Sequence, residues 1–420
     1  MKPQHPNADV RMQGFAVRST VEEALSWLAS ALPQFKNLPT EATPLADAAR
    51  RVLASDVTSP VNVPQFVRAM MDGFALQAAA THGASTYNRL ELRIVGDCFP
   101  GQPFAGSVGA GEAVRVMTGA PLPGGADAVL PVESTECEGQ QLWALGEVPP
   151  GKHVGTVGED IALGELLLCS GRVLRPQDVG VLSSIGRAEV PVVRPPRVSI
   201  LLTGNELLPA GTEPTGCHIA DANGPMLVAL AERDGGVVVR QQIVPDDRSA
   251  ILAALREEAD VVLVSGGSSV GQEDHVPTLL AEHGELAIHG IAMRPSSPMG
   301  LGRLDDRLVF LLPGNPVSCL CGYDFFAGRA IRALAGRSLA WPYRQRTAVL
   351  TRKLVSTVGR VDYVRVKLAR DQCEPLAISG SSILSSTTRA DGFVIVPADS
   401  EGHPAAAEVD VFLYDESIGA

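Results

Sequence analysis

The chain has 420 residues, 45% of them hydrophobic and only 5% aromatic, with a formal net charge of −12. That length exceeds one ordinary core and predicts several domains, while an acidic chain poor in aromatics lacks the basic, stacking surface that nucleic-acid binding demands. No run of about 18 apolar residues marks a membrane span, and the opening MKPQHPNADVRMQG has no charged-then-apolar signal pattern, which predicts a cytoplasmic protein.

In chain order, Thr20-Val21-Glu22-Glu23 is a capping box ahead of VEEALSWLASAL, and Leu45 to Leu53 keeps helical spacing, so the first 55 residues read as helical. From about 58 to 158, short apolar runs (LELRIVGD, EAVRVMTGA, DAVLPVE) broken by Pro and Gly predict a β-rich insertion. From about 197, the runs RVSILLT, GVVVRQQIV, DVVLVSGG, ELAIHGIAM and RLVFLLPG alternate with helical patterns, the first of them NGPMLVALAERDG from Asn223, as in a parallel sheet covered on both faces. The last of those patterns is the long segment PVSCLCGYDFFAGRAIRALAG. Beyond Pro342, TAVLTRKL, DYVRVKLA and GFVIVPA alternate apolar and polar residues and predict a small β domain. The seven cysteines (98, 137, 169, 217, 319, 321 and 373) form no CxxC pair and the eight histidines no HExxH, so neither a disulfide framework nor a zinc site is expected.

In a doubly wound sheet, ligands sit beyond the carboxyl ends of the strands. Four such ends are polar here: Thr203-Gly204-Asn205-Glu206, Pro245-Asp246-Asp247, Ser265-Gly266-Gly267 and Pro313-Gly314-Asn315-Pro316. Each alone has an ordinary explanation, since Gly-Gly makes turns, Asp246 or Asp247 caps a helix, and Asn315-Pro316 starts one. Four on one sheet edge point to a ligand crevice. The glycine loop matches neither GxxxxGK[ST] nor GxGxxG. Even so, Gly266 and Gly267 allow close backbone approach, and Ser268 and Ser269 add hydroxyl donors suited to an anion or a sugar. Glu206, Asp246 and Asp274 would repel that anion. A hard divalent cation, held by one or two carboxylates plus substrate phosphates, resolves the conflict, so the core reads as a Mg²⁺ and phosphate or pyrophosphate site.

These loops, with segments outside the core, resemble the molybdopterin molybdenumtransferases. FVRAMMDGFA (66–75) is similar to that family's FDRSAMDGYA, and MTGAPLPGGADAVLPVE (117–133) is closer still. Gly158-Glu159-Asp160 matches GED, RPPRVSILLTGNEL (194–207) resembles RPRVAILSTGDEL, SGGSSVGQEDH (265–275) resembles SGGVSVGEADY, and LPGNPVS (312–318) is identical. The resemblance spans about residues 20 to 400. It implies a multidomain α/β plus β fold: a split N-terminal segment (18–57 plus 159–195), an inserted β-rich domain (58–158), a doubly wound molybdopterin-binding α/β domain (196–341) and a C-terminal β-barrel-like domain (342–420). It also implies an elongated homodimer in which the insertion of one subunit faces the α/β crevice of the other.

The activity implied is transfer of molybdate into adenylyl-molybdopterin with Mg²⁺, releasing AMP and giving molybdenum cofactor. The molybdopterin adenylyltransferase and recipient molybdoenzymes are the implied protein partners. Carried onto this chain, Asp72, Thr118, Glu206, Asp246 and Asp274 are catalytic, with Glu206 and Asp274 on the metal and Asp72 and Thr118 reaching substrate from the partner subunit. Asp160 matches the pattern too, with a turn or hinge role as its plain alternative. Gly266, Gly267, Ser268, Pro313, Gly314, Asn315 and Pro316 shape the substrate loops. Gly359 to Arg365 resembles GRxEFxR and Ser385-Ser386 the late serine pair, so Arg365 and Ser386 are expected to hold molybdate.

Three departures stand out. MKPGKP becomes Met293-Arg294-Pro295-Ser296-Ser297-Pro298, which keeps one cation at Arg294 and exchanges the second for Ser297, weakening attraction for a bound anion. Ala69, Met70 and Phe74 remove two hydroxyls, and Asn205 replaces an acid. The insertase reading leads. A non-catalytic paralogue that binds or delivers cofactor competes through Ser297, and an adenylyltransferase or nucleotide pyrophosphatase is disfavoured by the insertion.

Overall fold

The computed structural model describes residues 18–35, 38–267, 275–377 and 380–415. Ser268, Ser269 and Asp274, expected at the site, lie outside them. Contacts divide the chain into two compact units, one of Met1–Thr43, Arg50–Ala54 and Pro191–Ala420, the other of Pro44–Ala49 and Ser55–Val190.

In the second unit, six strands form a sheet in the order Ala128–Pro131, Gly73–Leu76, Glu112–Val116, Leu90–Cys98, Gln141–Ala144, Thr135–Glu138. The two-residue period sends Phe74, Leu76, Ala113 and Leu130 into one apolar cluster and Ala75, Val114, Val116 and Val129 into another. Both faces of the sheet are thus covered. A Cβ on Gly73 would lie 2.1 Å from the Leu130 carbonyl oxygen, so only glycine permits this strand to pair as it does. The helical spacing over Leu45 to Leu53 yields just one turn, Leu45–Ala48, because Ala49 turns extended and Arg50 takes φ 69°.

The first unit holds the α/β core. Val21–Ala31 forms the predicted helix, with Thr20 Oγ1 accepting from Glu23 N at 3.1 Å and Glu23 Oε2 accepting from Thr20 N at 2.9 Å. The sheet order is Val237–Val244, Arg197–Thr203, Val261–Ser265, Arg307–Leu312, Gly300–Leu304, Glu285–His289. Val198, Ile200, Leu202, Val261, Leu263, Leu308 and Phe310 pack on one face with the Val21–Ala31 and Asn223–Arg233 helices. Leu201, Val262, Val264, Val309 and Leu311 pack on the other with Arg248–Leu255 and Val276–His283. Each such buried side chain contributes about 1.5–3 kcal/mol.

The sheet is not wholly parallel, because Gly300–Leu304 pairs antiparallel to both neighbours. Its glycines hide it from propensity; a Cβ on Gly302 would come 2.1 Å from the Glu285 carbonyl oxygen. The long final helical pattern is likewise interrupted: Pro316–Gly322 passes through a π-helical turn, Tyr323–Ala327, before Gly328–Leu334.

The chain then closes a five-stranded barrel from Arg344–Leu350, Val361–Ala369, Gln372–Ala377, Gly392–Val396 and Glu408–Leu413. Leu350, Val364, Val366, Val394, Val396 and Val411 fill it. A short strand from the α/β region, Met293–Arg294, pairs in parallel with Val361 and Asp362, which sets Arg294 beside Asp362. No helix among the described residues is long and apolar enough to cross a membrane.

Candidate functional site

Three strand ends converge at the carboxyl edge of the α/β sheet. Gly266 has φ 97°, its N–H donates to Leu312 O at 3.1 Å, and a Cβ there would lie 2.3 Å from Thr203 O. Gly267, next to it, has φ 54°. A Cβ on Gly314 would come within 3.6 Å of the Gly266 Cα, so the two loops touch backbone to backbone. Asn223 joins them: its Nδ2 donates to Ser265 Oγ at 2.9 Å and to Gly314 O at 2.7 Å. Its Oδ1 is buried with no hydrogen-bond partner. The preceding turn is held by buried Asp221, whose Oδ1 accepts from Gly224 N at 2.8 Å.

Sequence reading missed Asp221 and Asn223, taking Asn223-Gly224-Pro225 only as the start of a helix. The signal was the Asx turn Asp221-Ala222-Asn223-Gly224. Replacing Asn223 with alanine leaves the buried Ser265 hydroxyl and the Gly314 carbonyl without their donor, and is expected to cost about 1–3 kcal/mol in urea unfolding. An unchanged midpoint would remove the bridging role.

On the neighbouring loops, Asn205 N donates to Asp246 Oδ2 at 3.2 Å, which brings the Glu206 and Asp246 turns together. Glu206 is exposed. Asp247, not Asp246, caps the Arg248–Leu255 helix, its Oδ1 accepting from Ala250 N at 2.9 Å. The Ser249 hydroxyl, then the Ala250 N–H, hold its carboxyl below the usual range. No group of three or more metal-ligating side chains occurs among the described residues.

Beside this edge, a cleft of about 280 Å³ opens against the barrel, lined by Arg294, Ser296, Ser297, Pro313, Asn315, Ser318, Arg365 and Ser381 among others. Arg365 is 1% exposed, and burial draws its guanidinium pKa below the usual arginine range. Arg294 Nη2 lies 2.5 Å from Asp362 Oδ2. Asp362 is fully buried and also accepts from Ser356 Oγ at 2.8 Å and Arg360 Nε at 3.1 Å. Ser296 takes φ 82°, a conformation costly for any residue but glycine, and its N–H donates to Ser318 Oγ at 3.3 Å. The arrangement brings Arg365, Arg294, Ser297, Pro313 and Asn315 together. Pro316 begins the adjoining helix, with Asn315 at its N-cap position.

Ser385 and Ser386 are not part of this lining. They start a four-residue helix in which Ser386 Oγ donates to Ile383 O at 2.5 Å and Ser385 Oγ accepts from Arg389 Nη2 at 3.3 Å. Ser381 lines the cleft in their stead, and its backbone oxygen accepts from Val317 N at 2.9 Å.

In the other unit, Asp72 precedes the Gly73–Leu76 strand and Thr118 follows Glu112–Val116, whose register sets Gly73 opposite Val116. Asp72 Oδ1 accepts from Thr118 N at 2.7 Å and Thr118 Oγ1 at 2.8 Å. The Thr118 N–H, then its hydroxyl, hold the Asp72 carboxyl below its ordinary pKa. Phe66, Met70, Met71 and Met117 in the same two segments are exposed, Met70 by 50%. Asp160 is a turn residue whose N–H donates to Val63 O at 3.1 Å, while Glu159 pairs with Arg68 at 2.6 Å.

Comparison with known proteins adds three family matches along the chain. Residues 10–186 match the MoeA N-terminal region (domain I and II), 199–333 the probable molybdopterin binding domain, and 347–414 the MoeA C-terminal region (domain IV). A molybdopterin molybdenumtransferase of Staphylococcus aureus (strain MRSA252) is 30% identical over 402 residues, 94% of this chain and 95% of that protein. Molybdopterin molybdenumtransferase 2 of Mycobacterium tuberculosis (strain CDC 1551 / Oshkosh) is 33% identical over 382 residues, 88% and 94% of the two chains. Among solved structures, a molybdopterin biosynthesis MoeA protein of Pyrococcus horikoshii superposes with a TM-score of 0.80 at 33% identity, covering 95% of this chain and 100% of that one.

Proposed function

The chain belongs to the molybdopterin molybdenumtransferase family of molybdenum cofactor biosynthesis, and on that premise we propose that it is a molybdenum insertase. It takes adenylyl-molybdopterin and molybdate and releases molybdenum cofactor and AMP. The observation that carries this reading is that one loop, Pro313 to Pro316, borders both halves of the site. Gly314 O is tied to Asn223 at the sheet edge, while Pro313 and Asn315 line the cleft. A pyrophosphate held at the glycine turns would therefore present its pterin end toward Arg365 and the serines, where an oxyanion finds donors.

Glu206 offers an exposed hard-oxygen donor, the type Mg²⁺ takes in ones and twos beside substrate phosphates, and Asp274 is its proposed companion. When bound, Mg²⁺ would neutralise phosphate charge. Asp246 orients the Glu206 turn through Asn205. Gly266, Gly267 and Ser268 cradle the phosphates. Asp72 and Thr118 act from the partner subunit of a homodimer, whose interface the exposed Phe66, Met70 and Met117 suit. The adenylyltransferase that makes the substrate and the molybdoenzymes that receive the product are the proposed partners.

Ser297 favours a second reading, in which the chain carries finished cofactor without making it. Incubation with adenylyl-molybdopterin, Mg²⁺ and molybdate decides: the insertase releases AMP and activates an apo-molybdoenzyme. Tight cofactor binding with no AMP would sink the insertase reading.

A further inference from the structure

Two helices run from the glycine-loop edge of the α/β sheet into the protein, and they are tied to each other twice. The Asn223–Arg233 helix begins at the first tie, where Asn223 Nδ2 donates to Gly314 O at 2.7 Å. The other begins at Pro316, two residues past Gly314, and continues through the π-helical turn Tyr323–Ala327 into Gly328–Leu334. At about 1.5 Å per residue, Arg233 lies roughly 15 Å from Asn223, and Asp324 roughly 12 Å from Pro316. There the second tie forms. Arg233 Nη2 donates to Asp324 Oδ1 at 3.2 Å. Tyr343, just ahead of the first barrel strand, donates its hydroxyl to Asp324 Oδ1 at 2.9 Å and accepts from Arg233 Nη1 at 2.6 Å. Tyr323 Oη donates to Asp234 Oδ2 at 3.0 Å alongside. A Cβ on Gly328 would come 2.7 Å from the Tyr323 ring and 2.8 Å from Asp234 Oδ2, so the helix gives up a side chain where the tie closes.

Charge gives this second tie its direction. Asp324 is 2% exposed; burial pushes its carboxyl up to about 6, with Arg233 opposing. At neutral pH the fold thus carries an ionised Asp324 at a cost in stability, and a buried charge kept on those terms suits fixing position better than adding stability. Around Asp324 stand Arg233 and Asp234 from one helix, Arg329 from the end of the other, and Tyr343. Cys321 and Tyr323 from its own helix, with Tyr363 and Tyr414 from the barrel, complete the surroundings. Burial raises the thiol and all four phenols, which stay neutral near pH 6.

We infer that Asp324 is a positioning residue for the Pro313–Asn315 loop: its ion pair with Arg233 locks the two helices in register, so that Asn223 and Gly314 meet at the sheet edge. A helix pair held at both ends can neither slide nor rotate. Protonation of Asp324 removes the ion pair and leaves the loop held at one end only, which makes the loop sensitive to a proton bound remotely from it. The inference goes beyond the proposed reaction, and only its activity readout rests on that reading.

The test is Asp324→Asn in the full-length protein, which keeps the size and a hydrogen-bonding oxygen and removes the charge. Amide hydrogen exchange over residues 313–320 reads the loop without any substrate, each variant being compared with wild type at the same pH. Exchange there is expected to be about tenfold faster in the variant at about pH 7.5, the loss of one charge-assisted bond, and within about twofold of wild type at about pH 5, where the native carboxyl is itself protonated. Unchanged exchange at the higher pH overturns the inference, as does an equal acceleration in the core strand Arg307–Leu312, which marks general destabilisation. With adenylyl-molybdopterin, Mg²⁺ and molybdate, the ratio of variant to wild-type kcat for AMP release is expected to rise from about 0.1 at about pH 7.5 toward about 1 at about pH 5, the protonation of the substrates cancelling in the ratio. A ratio that stays constant with pH overturns the inference. Wild-type protein that releases no AMP removes the insertase reading, and the exchange measurement then decides alone. Should Asp324→Asn not fold, Tyr343→Phe takes its place: it removes a donor that favours the charged carboxyl, so the pH at which loop exchange quickens is expected to move upward, and an unmoved transition overturns the inference.

Discussion

Asp234→Ala is expected to destabilise the protein by about 3–5 kcal/mol, the cost of removing one partner from a buried ion cluster. Asp234 ends the Asn223–Arg233 helix and is fully buried. Its carboxylate accepts from Arg233 Nη2 at 2.7 Å, Tyr323 Oη at 3.0 Å and Arg332 Nη1 at 3.4 Å. Asp324, on the π-helical turn, is buried beside it and accepts from Tyr343 Oη at 2.9 Å and Arg233 Nη2 at 3.2 Å. Alanine at 234 leaves Arg233 and Arg332 with a single buried acid between them. The guanidinium of Arg233, 5.0 Å from the Tyr343 ring centre, has nowhere to solvate fully.

The pH dependence distinguishes this from a simple cavity. Burial pushes the Asp324 carboxyl up to about 6, Arg233 opposes it, and the Asp234 charge adds to the rise. A carboxyl raised in the folded state contributes stability that is fully present below its ordinary pKa and is lost as pH rises through about 6. Without the Asp234 charge, which adds to the rise, that loss ends at a lower pH and is smaller. Urea unfolding across pH 4 to 7 reads both effects; a loss below about 1 kcal/mol with no displacement of the pH profile would show that the cluster is dispensable.

Asp72→Asn is expected to lower AMP release by about 10²–10³-fold, the scale on which a preorganised polar group acts in a site that excludes water. Asparagine keeps an oxygen for the Thr118 N–H and hydroxyl, so local geometry survives and only the charge goes. The Thr118 N–H, then its hydroxyl, hold the native carboxyl below its ordinary pKa. The apolar rim of Phe66, Met70 and Met117 would, once covered by a partner, strengthen its field. The thermal midpoint should not move. Mixing Asp72→Asn with Arg365→Ala subunits is expected to restore activity, because in the proposed homodimer each mixed pair would hold one site with both native halves. No restoration would place Asp72 and Arg365 in separate sites or in one subunit.

Much of the architecture was legible in the chain. Local signals act over a few residues, so the capping box at Thr20, the apolar runs Val198–Leu202, Val261–Val264 and Leu308–Leu312, and the alternation of the final barrel could be read directly. The glycine turns at Gly266 and Gly314 were equally plain, because close backbone approach leaves a residue type behind. Gly300–Leu304 escaped for the same reason in reverse: Gly302 serves close packing against Glu285 and Gly300 against Leu311, and the two glycines erase the strand pattern.

The chemistry of the cleft was decided at longer range. The segment Arg294 to Pro298 announced one retained cation, yet the pairing of Arg294 with Asp362, 68 residues on, commits that charge elsewhere. Serines 385 and 386 offered the expected hydroxyls, but a short helix turned Ser386 onto its own backbone and brought Ser381 to the wall. Asn223 looked like a helix start until two loops, 42 and 91 residues away, closed on its side chain. The sequence by itself determined which segments become strands, turns and anion-tolerant loops, since those follow from local sterics and apolar period. Which polar groups remain free for a ligand was settled only by tertiary pairing, because a charge or hydroxyl is available or spent according to its neighbours in space.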